Sequence, residues 1–368
     1  MNSFTDRIMG KLFSRPKHRK GQGQRPASAA AVMESRAASH HAEIGAGEAR
    51  RGRLASMPET SGKPVHSDAV ASVGVVPPDL CLSGSKDGVV RLFNFNSQSL
   101  VASWSGHDSA ITKVCYGASC SGIFSASRDK TIKLWHQGNP RCIREFRGHT
   151  LVVSAIHTNA DSSSLCSGSR DNTVRLWDVE SGACTRINTI PQNLVTDVKF
   201  VPDSFLLAQT GEDKELRIFD LRSLEPVFSF PKKQYIQMCC DVSQDGRYIC
   251  SSSNGFSGNG CEATVWDLRG RRLLQELRGH HEAVEACVFL PGAGSERPLL
   301  VATASRDCSV KLWDGQSGDC LSDCPLSGAG PLTSLAVCSD GRILVGSFNQ
   351  GVHVLGKDIG SLQSLLHF

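Results

Sequence analysis

The chain of 368 residues carries a formal net charge of +4, is 40% hydrophobic and contains 15 cysteines. No segment approaches the run of about 18 apolar residues that a transmembrane helix requires, and the first residues lack the apolar core of a secretory signal peptide. The odd number of cysteines, most of them in apolar strand-like runs, favours buried thiols over a disulfide framework. We therefore expect a cytoplasmic protein.

Residues 1–63 differ in composition from the rest of the chain. They are rich in Ala, Ser, Gly and Arg and carry 12 Lys and Arg against 5 Asp and Glu, whereas the remainder carries 28 against 31. This composition predicts a disordered basic tail, so the positive charge says little about partners of the remainder.

The tail contains one modification pattern. The segment from Met9 to Ser14 matches the N-myristoylation motif, which makes Gly10 a lipidation candidate if translation starts at Met9. An acyl chain beside the basic run at residues 15–20 would favour an anionic membrane surface and a membrane-associated pool. A solvated basic tail is the simpler alternative.

Residues 64–368 contain a repeat of about 42 residues. Strand-like segments end at an anchor residue, and the anchors are Phe93, Trp135, Trp177, Phe219, Trp266, Trp313 and Leu355. Six residues before each anchor lies an acid or its replacement: Asp87, Asp129, Asp171, Asp213, Gly260, Asp307 and Asn349. A Gly-His pair precedes three of the anchors, ending at His107, His149 and His280.

This combination of motifs resembles the WD-repeat family. The resemblance implies an all-β, seven-bladed β-propeller of four-stranded antiparallel sheets over residues 64–368. It also implies buried hydrogen-bonded tetrads, which would be His107, Ser125, Asp129 and Trp135; His149, Ser167, Asp171 and Trp177; and His280, Thr303, Asp307 and Trp313. Blade 1 would use His66, Ser83 and Asp87, with Phe93 unable to donate.

Two regions depart from the repeat. Blade 4 lacks Gly-His, so its tetrad is expected to be absent. Blade 5 has a longer hairpin at residues 254–261, which predicts a protruding recognition loop that exposes Phe256. Nucleotide binding by this glycine-rich loop is disfavoured because a strand follows it, not a helix. The last blade can be closed by residues 362–368 or by a tail strand at residues 53–60.

No catalytic motif occurs outside the repeat, so we expect no enzyme, no catalytic residue and no cofactor. The pairs Cys239-Cys240 and Cys320 with Cys324 lack partners at zinc-site spacing, so we predict no metal. The chain is expected to be a monomeric propeller that acts as a non-enzymatic scaffold for other proteins.

Partner recognition is expected at the residue before each turn acid, because in the family this residue projects from one face of the ring. Basic side chains occupy four of the seven positions: Lys86, Arg128, Arg170 and Arg306. Glu212, Asn259 and Phe348 occupy the others. This rim predicts acidic or phosphorylated peptide partners, although Arg is also common at this position in WD repeats. The basic tail lacks interleaved aromatic residues, which argues against nucleic acid as a partner.

Two more specific functions follow from resemblance. Several segments are similar to a small WD-repeat scaffold linked to cilia and their transport machinery: residues 122–129, 165–172, 253–256, 260–264 and 330–336. Alternatively, a substrate receptor of a cullin-four ubiquitin ligase would dock its adaptor through two Asp-x-Arg boxes, formed by Asp220 and Arg222 and by Asp267 and Arg269.

Overall fold

The computed structural model describes residues 66–291, 298–349, 351–358 and 361–368. These residues form 28 strands and no helix, and the strands make seven antiparallel sheets of four consecutive strands each. The seven-bladed β-propeller predicted from the sequence is therefore confirmed.

The strands follow the chain from the innermost to the outermost position of each blade. Blade 1 contains β1 (Val70–Val76), β2 (Leu80–Ser85), β3 (Val89–Asn94) and β4 (Ser99–Ser105); blade 2 contains β5 (Ile111–Gly117), β6 (Gly122–Ser127), β7 (Ile132–His136) and β8 (Asn139–Phe146). Blade 3 contains β9 (Val153–Thr158), β10 (Ser164–Ser169), β11 (Thr173–Asp178) and β12 (Cys184–Thr189); blade 4 contains β13 (Val195–Phe200), β14 (Leu206–Gly211), β15 (Leu216–Asp220) and β16 (Glu225–Ser229). Blade 5 contains β17 (Gln237–Val242), β18 (Tyr248–Ser253), β19 (Glu262–Asp267) and β20 (Arg272–Arg278); blade 6 contains β21 (Val284–Phe289), β22 (Leu300–Ser305), β23 (Ser309–Asp314) and β24 (Cys320–Pro325). Blade 7 contains β25 (Leu332–Val337), β26 (Ile343–Ser347), β27 (Val352–Asp358) and β28 (Ser361–His367).

The apolar core lies between neighbouring blades. At several junctions an aromatic residue near the end of one outer strand packs against the anchor of the next blade. Phe146 contacts Trp177 with ring centroids 5.9 Å apart, and Phe230 lies 4.9 Å from Trp266. Each blade therefore completes the core of its neighbour, which makes the ring stable as a whole.

The innermost strands are also joined by side-chain hydroxyls. In four blades the second residue of the inner strand is Ser or Thr and donates to the carbonyl oxygen of the first residue of the next inner strand, as Thr112 does to Val153 at 2.5 Å. The same contact joins Ser154 to Val195 and Thr196 to Gln237. These bonds satisfy buried carbonyl groups at the wall of the channel.

The ring closes without exchange of strands between blades 1 and 7. Residues 361–367 form the outer strand of blade 7 and pair with β27. Of the two strands that could close this blade, the C-terminal one is therefore observed. The tail segment at residues 53–60 lies outside the described residues.

Candidate functional site

The repeat histidines and aspartates lie in hydrogen-bonded sets between blades. In blade 2, His107 Nδ1 is 2.7 Å from Asp129, its Nε2 is 2.8 Å from Ser125, and the Trp135 indole donates to Ser125 Oγ at 2.8 Å. The same contacts, at 2.7 to 2.9 Å, join His149, Ser167, Asp171 and Trp177 in blade 3 and His280, Thr303, Asp307 and Trp313 in blade 6. Their polar atoms are used inside the ring, which leaves them a structural role.

The aspartates of these sets are held ionised. Burial alone would raise the pKa of Asp129, but hydrogen bonds from His107 and Thr131 hold it well below its usual range. The pKa of Asp171 is lowered in the same way by His149 and Thr173. A carboxylate with such a low pKa stays ionised at neutral pH and accepts the hydrogen bonds of the set.

Blades 1 and 5 contain variants of this hydrogen-bonded set. In blade 1, His66 contacts Ser83 at 2.8 Å and Asp87 at 3.0 Å, and Arg91 donates to Asp87 at 3.1 Å while Phe93 supplies no donor. In blade 5, the Trp266 indole donates to Ser251 Oγ at 2.9 Å, and this hydroxyl donates to the Gln237 side chain at 2.7 Å. The sequence comparison did not identify Gln237. The available signal was the Gln at the first position of this inner strand, where the other six blades have an aliphatic residue.

Blade 4 contains no such set, as its missing Gly-His predicted. Instead, Asn193 and Gln209 are fully buried, and Arg217 pairs with Asp213 at 2.5 Å. Both side-chain polar atoms of Asn193, Oε1 of Gln209 and Nη1 of Arg217 lack a hydrogen-bond partner among the described residues. Ordered water is the usual partner of such groups.

The seven rim positions share one backbone contact. The N–H of each rim residue donates to the carbonyl of the residue just before the inner strand of its blade, as Arg170 does to Val152 at 3.0 Å. Because the inner strands line the central channel, the rim surrounds the mouth of this channel. In blade 5 this hydrogen bond belongs to Asn254, which donates to Ile236 at 3.0 Å. The insertion follows Asn254, so counting back from the anchor selected Asn259 instead.

The rim carries more cations on one side than on the other. Arg170 forms an ion pair with Glu212 at 3.1 Å, which neutralises the rim at blades 3 and 4. Around the opposite arc, blades 6, 7, 1 and 2 present in turn Arg306, Phe348, Lys86 and Arg128, and we call these four residues the channel-mouth arc.

The side chains of this arc influence one another. The Lys86 ammonium lies 4.1 Å from the centroid of the Phe348 ring, which is 42% exposed. Burial lowers the pKa of Lys86, and the charges of Arg128 and Arg306 lower it further against the opposing charge of Asp68. The influence of Arg128 and Arg306 on Lys86 places the three cations near one another, with the Asp68 carboxylate beside them.

The carboxylate below the arc is Glu285, on the channel wall. It forms an ion pair with Arg306, and burial raises its pKa although Arg306 opposes the shift. Deeper in the channel, Lys113 pairs with Asp197 at 3.1 Å and Lys199 with Asp241 at 3.4 Å. These inner charges neutralise each other, so the cations of the arc are the main positive charge at this mouth of the channel.

The Asp-x-Arg boxes of blades 4 and 5 share one backbone contact. Both aspartates accept the backbone N–H of their box arginine, Asp220 at 2.9 Å and Asp267 at 3.1 Å, and both arginines are exposed. The Arg222 guanidinium pairs with Asp220 at 2.9 Å and lies 5.3 Å from the centroid of the Phe205 ring. The lipidation candidate Gly10 lies outside the described residues.

Candidate metal clusters and membrane-spanning helices are both absent from the described part of the chain. No group of three or more His, Cys, Asp or Glu residues is arranged there to hold a metal ion. Nor do those residues include a helix long and apolar enough to cross a membrane.

Comparison with known proteins identifies the repeat in three places. The family described as WD domain, G-beta repeat, matches residues 98–136, 140–178 and 271–314. These stretches include the complete tetrads of blades 2, 3 and 6.

Individual relatives match over short stretches. The pre-mRNA-splicing factor cwf17 of Schizosaccharomyces pombe is 29% identical over 114 residues, which is 30% of this chain and 30% of the relative. Nuclear distribution protein PAC1-1 of Uncinocarpus reesii is 31% identical over 90 residues, 20% of this chain and 19% of the relative. Human apoptotic protease-activating factor 1 is 29% identical over 115 residues, 29% of this chain and 8% of the relative.

The matched stretches thus cover less than a third of each relative and of this chain. They show shared repeats and do not transfer the activity of any one relative. Together with the seven observed blades, the matched repeats establish that the chain belongs to the WD-repeat family.

Proposed function

We propose that this propeller is a non-enzymatic protein-interaction scaffold that binds an acidic or phosphorylated segment of a partner at the channel-mouth arc. WD-repeat propellers generally bind other proteins, and their closed ring leaves the loops of the two faces as recognition surfaces. The arc is the observation that carries the proposal, because three cations and an exposed aromatic ring converge there from four consecutive blades.

The chemistry of the arc suits an anionic peptide. Arg side chains bind carboxylates and phosphates through paired N–H donors, and Phe348 offers an apolar surface beside them. Two carboxylates, Asp68 and Glu285, lie close to the cations and offset part of their charge. We therefore expect micromolar binding that weakens with salt, since partly neutralised surface charges are screened.

A peptide titration tests this proposal. The full chain is titrated with fluorescein-labelled peptides of eight residues that contain glutamate and leucine, phosphoserine and leucine, or lysine and leucine. We expect the two acidic peptides to bind and the basic one to fail, with about tenfold weaker binding when salt rises from 0.05 to 0.5 M. Equal binding of acidic and basic peptides would contradict the proposal.

The location of the scaffold is a second part of the proposal. Five segments, among them residues 122–129 and 330–336, support a role in cilium assembly or ciliary transport through their similarity to a ciliary WD-repeat scaffold. The Met9-Gly10 motif and the basic run after it support a membrane tether. Proximity labelling in ciliated cells, with forms that start at Met1 and Met9, tests both. Intact-mass analysis that finds only unmodified chains starting at Met1 would exclude the lipid anchor.

The adaptor-docking alternative has one favourable observation: in both boxes an exposed arginine lies beside an aspartate that accepts its backbone N–H. Its weaker point is Arg222, whose guanidinium is held by Asp220 and Phe205. Copurification of a ubiquitin-ligase adaptor with the full chain, lost on Arg222→Ala and Arg269→Ala, would favour this function. The names of the relatives, a splicing factor and a nuclear distribution protein, support membership of a larger assembly without selecting one.

A further inference from the structure

The inserted loop of blade 5 holds an aromatic side chain on the surface in a defined conformation. Phe256 and Asn259 exchange two backbone hydrogen bonds of 3.0 Å, and Gly255 donates to Gly260 at 2.9 Å. Gly258 also donates to the His281 carbonyl of the next blade at 2.8 Å. The Phe256 side chain is 64% exposed at the tip of this turn. An aromatic ring fixed in this way loses little conformational entropy when a partner covers it.

A tyrosine below the loop explains why its base is glycine. Gly260 has φ +69°, and a Cβ atom at this position would lie 2.1 Å from the Tyr235 ring. The loop therefore lies flat on Tyr235, a contact that any larger residue would prevent. Gly260, which replaces the turn acid, thus allows the inserted loop to pack on Tyr235. The loop and this ring form a surface that is specific to blade 5.

Beside the loop lies a polar cleft. Its walls are the segment before β17, the base of the loop and the end of β20, and it is lined by residues 232–235, 258–262, 276, 278 and 279. Lys233 lies at its floor between Glu262 at 3.2 Å and Glu276 at 2.5 Å. The carboxylates of the cleft are therefore already bound by an interior ammonium group.

The exposed charges at the cleft are positive. The Lys232 and Arg278 side chains are 59% and 73% exposed, whereas those of Glu262 and Glu276 are 10% and 26% exposed. Arg278 contacts Glu276 at 2.5 Å, and Lys232 approaches Glu215 only to 3.9 Å. Surface ion pairs of this kind contribute little stability, so both cations can turn to a ligand carboxylate at low cost.

We infer that Phe256, Tyr235, Lys232 and Arg278 form a second docking site, the blade-5 site, for a partner segment in which an apolar side chain adjoins acidic residues. The apolar side chain packs on Phe256, and the neighbouring carboxylates bind Lys232 and Arg278. The complementary charge and the single exposed anchor select this chemistry over a basic or purely apolar segment. The site is independent of the channel-mouth arc and does not need the arc to be occupied.

The test uses a library of random 12-residue peptides displayed on phage. The library is selected on the full chain after removal of peptides that bind the Phe256→Ser variant. The selected peptides are synthesised, labelled and titrated against the full chain and its variants. We expect an acidic pair next to Leu, Phe or Trp in these peptides, and at least tenfold weaker binding to Phe256→Ser and to Lys232→Glu with Arg278→Glu.

The chain offers matched controls. Phe205 is also 64% exposed, in the loop between β13 and β14, so Phe205→Ser should leave the affinity within twofold. Arg128→Ala with Arg306→Ala should do the same, which separates this site from the arc. Only variants with the same melting temperature as the wild type are compared, so that a loss of binding does not reflect unfolding. Selected peptides without acidic residues, no peptide that distinguishes Phe256→Ser, or equal losses in Phe205→Ser would each overturn the inference.

Discussion

Thr333 Oγ1 donates a hydrogen bond of 2.7 Å to the carbonyl oxygen of Val70, across the junction between blade 7 and blade 1. Ser334 adds a second contact there, because its hydroxyl accepts the Val73 N–H at 3.2 Å. At the far end of the same junction the Phe93 and Phe368 rings stack with centroids 3.9 Å apart. Side chains thus join two blades that share no strand, with the same hydroxyl contact that joins blades elsewhere in the ring.

Replacement of Thr333 by Val tests this junction. The variant keeps the shape of the side chain but leaves the Val70 carbonyl without its donor, so the free energy of unfolding should fall by about 1 kcal/mol. Urea unfolding monitored by tryptophan fluorescence measures the change. Thr112→Val is the matched control, since it removes the 2.5 Å contact to Val153 between blades 2 and 3 and should cost about as much. A loss in Thr112→Val with none in Thr333→Val would show that the junction does not form as described.

Gln237 is expected to be essential to blade 5. Its side chain accepts from Ser251 at 2.7 Å and donates to Ser253 at 3.0 Å, and it is fully buried. Gln237→Leu leaves these hydroxyls unsatisfied beside Trp266 and should lower the free energy of unfolding by about 2 kcal/mol. Gln234→Leu, at an exposed position, is the control and should change it by less than about 0.5 kcal/mol. A Gln237→Leu protein as stable as the wild type would exclude the role given to this side chain.

The stability of blade 7 should depend on the ionisation of His353. Burial, with a smaller contribution from His367, lowers the pKa of His353 to about 4. Below about pH 6.5 the unfolded chain binds a proton that the native state excludes until about pH 4, so the free energy of unfolding should fall as the pH falls through this window.

Comparison of His353→Gln with the wild type isolates this effect. The variant should lose less stability between pH 7 and pH 4.5, with a difference of roughly 2 kcal/mol, because it lacks the titrating group. The exposed His136→Gln variant should show the wild-type pH dependence. Parallel stability curves for His353→Gln and the wild type would contradict the prediction.

Spacing and residue type were sufficient to predict seven blades and to name the residues that form the sets of blades 2, 3 and 6. They could not place Asn254 on the rim, because the rim position was found by counting back from the anchor of the blade. The insertion lies between Asn254 and this anchor, so the count ended at Asn259. Spacing and residue type also could not reveal that Glu212 neutralises Arg170, since the two residues belong to different blades and meet only when the ring forms. The basic rim inferred from sequence is consequently an arc of four blades. The cleft beside Phe256 depends in the same way on three segments that only the fold brings together.

The most direct test of the proposed function compares the affinity of one acidic peptide for three forms of the full chain. The probe is the labelled peptide of glutamate and leucine, and all three forms carry Phe256→Ser so that the blade-5 site does not contribute. The forms are this background alone, the background with Lys86→Ala and Arg128→Ala, and the background with the control Arg186→Ala, an exposed arginine of an outer strand. We expect binding to weaken at least tenfold in the double variant and by less than twofold in the control, with unchanged melting temperatures. Equal affinity of all three forms would show that the channel-mouth arc is not where this scaffold takes an acidic partner.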